Sequence, residues 1–555
     1  MTFNLADLFE SVTDTVPDAP AIVAGDRRLT YAQLDERASR LAQHLAASGV
    51  GPGDFVGLQL GNGTEYVEAM LACFKVRAVP VNVNYRYIGA ELAHLYDDAG
   101  IVGLVAHRRF ADSVREALGA MAERRVLLVV DDGSGTEDLA GAQEYESALI
   151  AASAERPTVA RSGDDLYCVY TGGTTGRPKG VLWRHEDIFF AAMGGGDPMQ
   201  LGTVIERPEE LPERVLRPGL VALATPPLMH ASAHWLAFST LLGGGTLVLL
   251  PGGRFDPAEV VRSLVTDRVN VLVVVGDAMA VPVLDELERR VAAGEGPDTS
   301  SLMAVGSGGA IMSPSTKRRI GELLSGAMVV DGFGSSETGV VGNSRSGVDE
   351  HGSVRLQVDE RTTVLDDLGR AVQPGSPTIG RLARGGRLPL RYHRDEVKSA
   401  ETFLEVDGRR WAVPGDLARV DADGTIVVLG RASQCINSGG EKVHPEEVES
   451  ALKDHPAVAD VVVVGAADPR WGESVVAVVE PRPGAEVVLE DLQAHLRGRI
   501  ASYKLPRQVV CVPAVERSPS GKADYPWAKA VASAAPLAEP AARSRTNPQS
   551  PSRGL

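Results

Sequence analysis

Between Tyr170 and Gly180 the chain reads Tyr-Thr-Gly-Gly-Thr-Thr-Gly-Arg-Pro-Lys-Gly. Gly172, Gly173, Gly176 and Gly180 leave backbone N–H groups uncovered and allow positive φ angles that side chains resist. Thr171, Thr174, Thr175 and Lys179 add hydroxyl and ammonium donors. The apolar run Leu166–Val169 predicts a strand leading into this loop, and a helix is expected past His185. Successive N–H groups turned inward make an anion-binding nest, so the segment suits a polyphosphate. It is not a Walker loop, which needs G-x-x-x-x-G-K-[ST], because Pro178 precedes Lys179 and Gly180 follows it. Many glycine-rich loops are plain surface turns; the threonines and the terminal lysine favour phosphate binding here.

A chain of 555 residues is too long for one core, so two or more domains are expected. A net charge of −17 argues against a nucleic-acid binder, and any anionic ligand must be held by local donors. Cys73, Cys168, Cys435 and Cys511 show no CxxC spacing and read as free thiols in a reducing compartment. Met1–Asp7 lacks a basic-then-apolar leader, and no run approaches the roughly 18 apolar residues of a membrane span. A cytoplasmic protein without a membrane span is expected.

Thr30-Tyr31-Ala32-Gln33 is a capping box opening a helix with Leu34, Ala38, Leu41 and Leu45 on one face. β-Branched runs at Phe55–Leu60, Ala78–Val83, Val102–Ala106, Val221–Thr225, Thr246–Leu250, Val271–Val275 and Met328–Val330 alternate with amphipathic helices. That rhythm predicts an α/β protein whose large N-terminal domain, residues 1–430, packs mostly parallel sheets between helices. Glu206–Pro218 reads as an exposed insertion. Past Gly430 the pattern predicts a small α+β domain over 435–532, with helices at Pro445–Leu452 and Leu489–Ile500 and strands at Val461–Gly465 and Val475–Glu480. The remainder, 533–555, is rich in Ala, Pro, Ser and Arg and is expected to be a disordered tail.

Further motifs share the logic of the first loop. Gly306-Ser307-Gly308-Gly309-Ala310 ends one strand, and Asp331-Gly332-Phe333-Gly334-Ser335-Ser336-Glu337 follows another. Asp416 comes just after a Pro-Gly turn, Arg431 precedes the domain break, and Lys522 sits on Ser-Pro-Ser-Gly-Lys. Alone, each is an ordinary turn or surface residue. Together they suit the parts of a nucleotide: Phe333 for stacking, Asp416 for ribose hydroxyls, and Glu337 for a Mg²⁺ on phosphate oxygens.

In these motifs, over about Leu5 to Lys529, the chain resembles the adenylate-forming superfamily of acyl-CoA synthetases, luciferase-like enzymes and adenylation domains. Arg184–Ile188, Gly276–Met279, Ile436–Glu449 and Ser518–Lys522 make it most similar to actinobacterial fatty-acid- and steroid-acid-CoA ligases. The resemblance implies that a carboxylic acid and ATP give an acyl-adenylate, which a CoA thiol then takes up after the small domain turns about a hinge at 431–434. By the same resemblance Thr171, Gly173, Thr174, Thr175, Gly176 and Lys179 hold phosphates, with Glu337 and Thr171 at the Mg²⁺. Gly308, Gly309, Ala310, Asp331, Phe333, Gly334, Ser336, Asp416 and Arg431 border the nucleoside. Lys522 bridges the attacking carboxylate and the α-phosphate, where a mobile cation offsets the repulsion of two anions. His230 gates the acid; Trp235, Asp277, Met279 and Ser307 line its pocket; Gly439 and Gly440 line a pantetheine tunnel.

Four positions depart from the family pattern. Gly172 replaces a serine, Ser433 stands at the hinge where Asp or Lys is common, Phe333 replaces a tyrosine, and no glycine follows His230 closely. Ala231 and Ala233 add bulk there, which disfavours a substrate as large as a steroid acid. An alternative keeps the adenylation and changes the rest: transfer to a carrier protein, or activation of nitrite for diazo-bond formation on an aromatic amine. A catalytically dead sensor would have lost Lys522 or Glu337, and both are present. The sequence leaves the oligomeric state open between a monomer and a homodimer, dimers being common among soluble enzymes of this size.

Overall fold

The computed structural model describes residues 1–535 except 88, 138, 173–177, 198–201, 252, 254, 311, 345–353, 357–358, 439–440, 469–471, 498 and 519–520. The chain forms two compact units. The larger holds Met1–Ser433 together with Arg517–Lys522; the smaller holds Gln434–Glu516 and the chain from Ala523.

Two parallel sheets dominate the larger unit. In the first, Met328–Ser335, Ala304–Gly308, Val271–Val274, Val221–Ala224, Thr246–Leu249 and Pro20–Ala24 run parallel, with an antiparallel strand at either edge. The second orders Val79–Asn82, Phe55–Gln59, Ile101–His107, Val126–Val130 and Gln143–Glu144, all parallel. Ile101–His107 is buried along its whole length, as a strand covered on both faces must be. The expected capping box forms: Thr30 Oγ1 accepts from the Gln33 N–H, and the Gln33 side chain accepts from the Thr30 N–H. The helix it opens, Tyr31–Ala47, buries Leu34, Ala38, Leu41 and Leu45.

Several expectations need correction. A third, antiparallel sheet occupies 354–431, built from short strands such as Gly380–Arg384, Asp416–Val420 and Ile426–Arg431. The helix past His185 forms as expected, but the strand before the loop, Leu166–Gly172, has an unforeseen partner. It pairs with Pro178–Arg184 as an antiparallel hairpin, and only then does helix His185–Ala192 begin. The Glu206–Pro218 stretch is anchored by buried Leu211 and Val215 instead of lying wholly exposed. The final helix, Tyr525–Ala534, runs into the stretch expected to be tail and buries Ala532. Helix Leu489–Leu496 stops early, with Arg497 in extended backbone.

The smaller unit is organised by one antiparallel pair, Val458–Asp468 with Gly472–Pro481. Val461, Val463, Val475 and Val479 share one apolar cluster with Leu452 and Leu492. Val462, Val464, Val476 and Val478 share another with Ala528 and Ala532. Alternation along the strands thus sends consecutive valines to opposite, equally buried faces, each burial worth about 1.5–3 kcal/mol against leaving the side chain in water.

Candidate active site

The hairpin sets the positions of the phosphate-binding candidates. Thr171 lies opposite Lys179 in register, while Gly173, Thr174, Thr175 and Gly176 fall outside the described residues. The strand is fixed by Asn82, a buried amide in a valine run. Its Oδ1 accepts from the Tyr170 N–H at 2.7 Å, and its Nδ2 donates to the carbonyls of Tyr170 (2.8 Å) and Met229 (2.7 Å). Asn62 Oδ1 accepts from the Leu228 N–H at 2.8 Å. These two amides tie the segment before His230 to the parallel sheet, and the sequence reading missed both.

Lys179 donates to Asp395 Oδ2 at 2.7 Å, and its ammonium lies 5.8 Å from the Tyr392 ring centroid. The Tyr392 hydroxyl donates to Glu337 Oε1 at 2.8 Å. The hydrogen bond from Lys179, and then the Lys398 N–H, hold the Asp395 carboxyl below the usual range. Burial, reinforced by the charge of Glu337, pushes the Tyr392 phenol up. The strand pair Arg391–Tyr392 with Val181–Leu182 sets this tyrosine beside the hairpin.

Asp416 and Arg431 face each other across two antiparallel strands, with Arg431 Nε 3.3 Å from Asp416 Oδ1. Burial raises the Asp416 carboxyl and Arg431 partly offsets that. Lys522 senses the same charges. Loss of hydration lowers its ammonium pKa, then Arg431 does so, while Glu337 and Asp416 act in the opposite direction. Water still reaches this side chain, so the neighbouring charges are the firmer cause. Its Cε lies 3.5 Å from where a Cβ on Gly309 would stand, and the φ of +87° at Gly309 favours glycine in this turn.

His230 ends the segment before helix Ala231–Leu242. Burial, Lys522, His234 and Arg86 together pull its imidazole down to about 3. Its Nε2 is buried and has no hydrogen-bond partner among the described residues. His234, one turn on, is different: the Tyr167 hydroxyl is 2.9 Å from Nδ1 and the Tyr66 hydroxyl 3.2 Å from Nε2.

Other predicted residues have internal partners. Asp331 is buried and ion-paired with Lys317. Ser307 Oγ accepts from the Gly276 N–H at 2.9 Å and donates to the Ala310 carbonyl at 2.6 Å. Asp277 Oδ1 accepts from the Ser313 N–H at 2.9 Å, and Met279 Sδ accepts from Thr225 Oγ1 at 3.2 Å. A Cβ on Gly334 would stand 2.2 Å from the Gly339 carbonyl oxygen, so the strand pairing itself demands that glycine. The Ser336 carbonyl accepts from the Trp183 indole N–H at 2.9 Å. Phe333 is partly buried against the antiparallel sheet, Trp235 is mostly buried, and Gly308 closes its strand. Gly439 and Gly440 lie outside the described residues.

Among the described residues no three His, Cys, Asp or Glu side chains gather as a metal-binding group. Glu337 fits a Mg²⁺ of another kind: Tyr392 takes Oε1, and Oε2 accepts no hydrogen bond from the described residues. Mg²⁺ in nucleotide sites is commonly held by one or two carboxylates plus substrate phosphates. No helix among the described residues is long and apolar enough to cross a membrane.

Residues 9–390 match the AMP-binding enzyme family and residues 447–522 the AMP-binding enzyme C-terminal domain. The chain is 47% identical over 534 residues to a 3-oxocholest-4-en-26-oate–CoA ligase of Rhodococcus rhodochrous, covering 95% of this chain and 96% of that protein. It is 45% identical over 543 residues to a medium/long-chain-fatty-acid–CoA/3-oxocholest-4-en-26-oate–CoA ligase of Mycolicibacterium smegmatis, covering 97% and 98%. The fold matches an anthranilate CoA ligase, AuaEII, solved with anthranoyl-AMP, at TM-score 0.82 and 23% identity, covering 96% of this chain and 97% of that one. With its two matched regions, its parallel sheets and relatives aligned along almost its full length, the chain belongs to the AMP-binding enzyme family.

Proposed function

We propose that this protein is an AMP-forming acid–CoA ligase acting on a medium- or long-chain fatty acid or a steroid side-chain acid. The observation that carries the reading is the place of Lys522, its Cε 3.5 Å from the Cβ position of Gly309, where the charges of Glu337, Asp416 and Arg431 act on its ammonium and its charge acts on His230. A cation among carboxylates, beside an unpartnered imidazole, suits the meeting of two anions.

In the first half-reaction a carboxylate oxygen of the acid attacks the α-phosphorus of ATP. The bond to the β-phosphate oxygen breaks, pyrophosphate leaves, and a mixed acyl–phosphate anhydride remains. Lys522 lies against both negative groups, Lys179 and Thr171 hold the departing phosphates, and Asp416 accepts from the ribose hydroxyls. Mg²⁺, bound through Glu337 and with Thr171 nearby, would supply charge neutralisation on phosphate oxygens. In the second half-reaction the CoA sulfur attacks the acyl carbonyl, the C–O bond to AMP breaks, AMP departs and the thiol proton passes to solvent. Between the steps Lys522, whose segment Arg517–Lys522 is grouped with the larger unit, withdraws as the chain turns about 431–434.

The activities of relatives 47% and 45% identical support a large lipophilic acid, against the expectation that the bulk of Ala231 and Ala233 disfavours one of steroid size. The test is a stoichiometric assay with ATP, Mg²⁺, CoA and a panel of dodecanoate, 3-oxocholest-4-en-26-oate and benzoate. Thioester, AMP and pyrophosphate should form in equal amounts, fastest with the first two acids. AMP formation indifferent to CoA would refute the ligase reading, and a preference for benzoate would refute the acid class.

A further inference from the structure

Two residues outside every motif considered above stand behind the two groups assigned to ATP phosphates and metal. Tyr392 holds Glu337 by a hydrogen bond of 2.8 Å, and Asp395 holds Lys179 by one of 2.7 Å. They are not independent. The Tyr392 N–H donates to Ser399 Oγ at 2.9 Å, and Ser399 Oγ donates to the Asp395 carbonyl at 2.6 Å. Asp395 also caps helix Glu396–Thr402, its Oδ1 accepting from the Lys398 N–H at 2.9 Å. One serine thus ties the two holders together, and the helix cap fixes the carboxylate.

We propose that the Tyr392–Asp395–Ser399 unit is a positioning device that aligns Lys179 and Glu337 for MgATP before the nucleotide arrives. This rests on the acid–CoA ligase reading of the site. A lysine ammonium has three donors, and Asp395 takes one, leaving two for phosphate oxygens. Held at its tip, the flexible lysine has less rotamer freedom to lose on binding. Tyr392 likewise occupies one oxygen of Glu337 and turns the other toward a cation. The ammonium beside the Tyr392 ring adds a second tie between the two halves.

The test is direct nucleotide binding by calorimetry on the full-length protein, with thermal midpoints measured alongside. Asp395→Asn keeps an amide oxygen for the Lys398 N–H but removes the charge on Lys179. MgATP binding should weaken about 5- to 20-fold, the size expected for loss of a charge-assisted hydrogen bond. Tyr392→Phe keeps the ring, and should raise the Mg²⁺ concentration needed for half-maximal ATP binding several-fold while leaving ATP binding in EDTA unchanged. Tighter MgATP binding by Asp395→Asn would show that Asp395 competes with phosphate and would overturn the proposal. An unaltered Mg²⁺ requirement in Tyr392→Phe would overturn its other half. Lys179→Ala separates the levels: if it weakens ATP binding while Asp395→Asn does not, only the positioning role falls. If it leaves ATP binding untouched, the nucleotide site itself has been misassigned.

Discussion

The proposed nucleotide side and the proposed acid side of the site are prepared in opposite ways. On the nucleotide side Lys179, Glu337, Asp416 and Arg431 each have a polar or charged partner in the free protein. On the acid side His230 has a buried nitrogen without one among the described residues. The pair of histidines sharpens the contrast. His234 is buried and has a tyrosine hydroxyl at each nitrogen, so it serves the core; His230, one turn away, has a nitrogen left for a ligand. Paired charges keep a polyphosphate site ordered without ligand, whereas an unpartnered imidazole is costly until something fills the space beside it.

That contrast can be broken in order of expected effect. Glu337→Gln should slow acid-dependent pyrophosphate release by about 100-fold or more at millimolar Mg²⁺, as loss of a group that stabilises transferring phosphate charge does. Rates titrated against Mg²⁺ check it, and a loss below threefold would remove Glu337 from the metal site. His230→Ala should lower kcat/KM for the acid about 10- to 100-fold, the scale of a lost hydrogen bond to a charged group, with MgATP affinity nearly unchanged. Equal damage to both would erase the distinction between the two sides. Asp416→Asn should narrow discrimination between ATP and 2′-deoxy-ATP about 10-fold, as expected when a ribose acceptor loses its charge. Competition assays measure this, and undiminished discrimination would place the ribose elsewhere.

The smallest effect concerns stability. Burial pulls the His234 imidazole down to about 3, so the folded protein keeps it neutral while the unfolded chain protonates it near 6.5. Its contribution is complete above pH 6.5 and is lost as pH falls toward 3, at about 1.4 kcal/mol per pH unit once the unfolded state is protonated. Thermal midpoints should fall on acidification, and His234→Gln should lower the midpoint at pH 7.5 while flattening that slope. An unchanged slope would assign the acid sensitivity to other groups.

Much of the architecture was legible because burial on both faces writes continuous apolar, β-branched runs, such as those that form Ile101–His107 and Val271–Val274. The antiparallel sheet over 354–431 was not, since strands such as Gly380–Arg384 (Gly-Arg-Leu-Ala-Arg) carry charged residues in place of a continuous apolar run. Pro178 and Gly180 hid the second strand of the phosphate hairpin, although they sit in its ladder. The site residues with special chemistry announced themselves by motif. Those that hold them did not: Asp395 is 216 residues from Lys179 and Tyr392 is 55 from Glu337, so only the fold brings them together. Asn82 shows the same limit, as an amide flanked by Val81 and Val83 whose three hydrogen bonds reach residues 88 and 147 positions away.

The account turns on a mobile ammonium meeting ATP in the first step and being dispensable in the second. Lys522→Ala, assayed separately for pyrophosphate release from acid and ATP and for thioester formation from a supplied acyl-adenylate, tests it most directly. The account predicts that the first activity disappears while the second stays within a few-fold of the unaltered protein. Equal loss of both, or survival of the first, would contradict it.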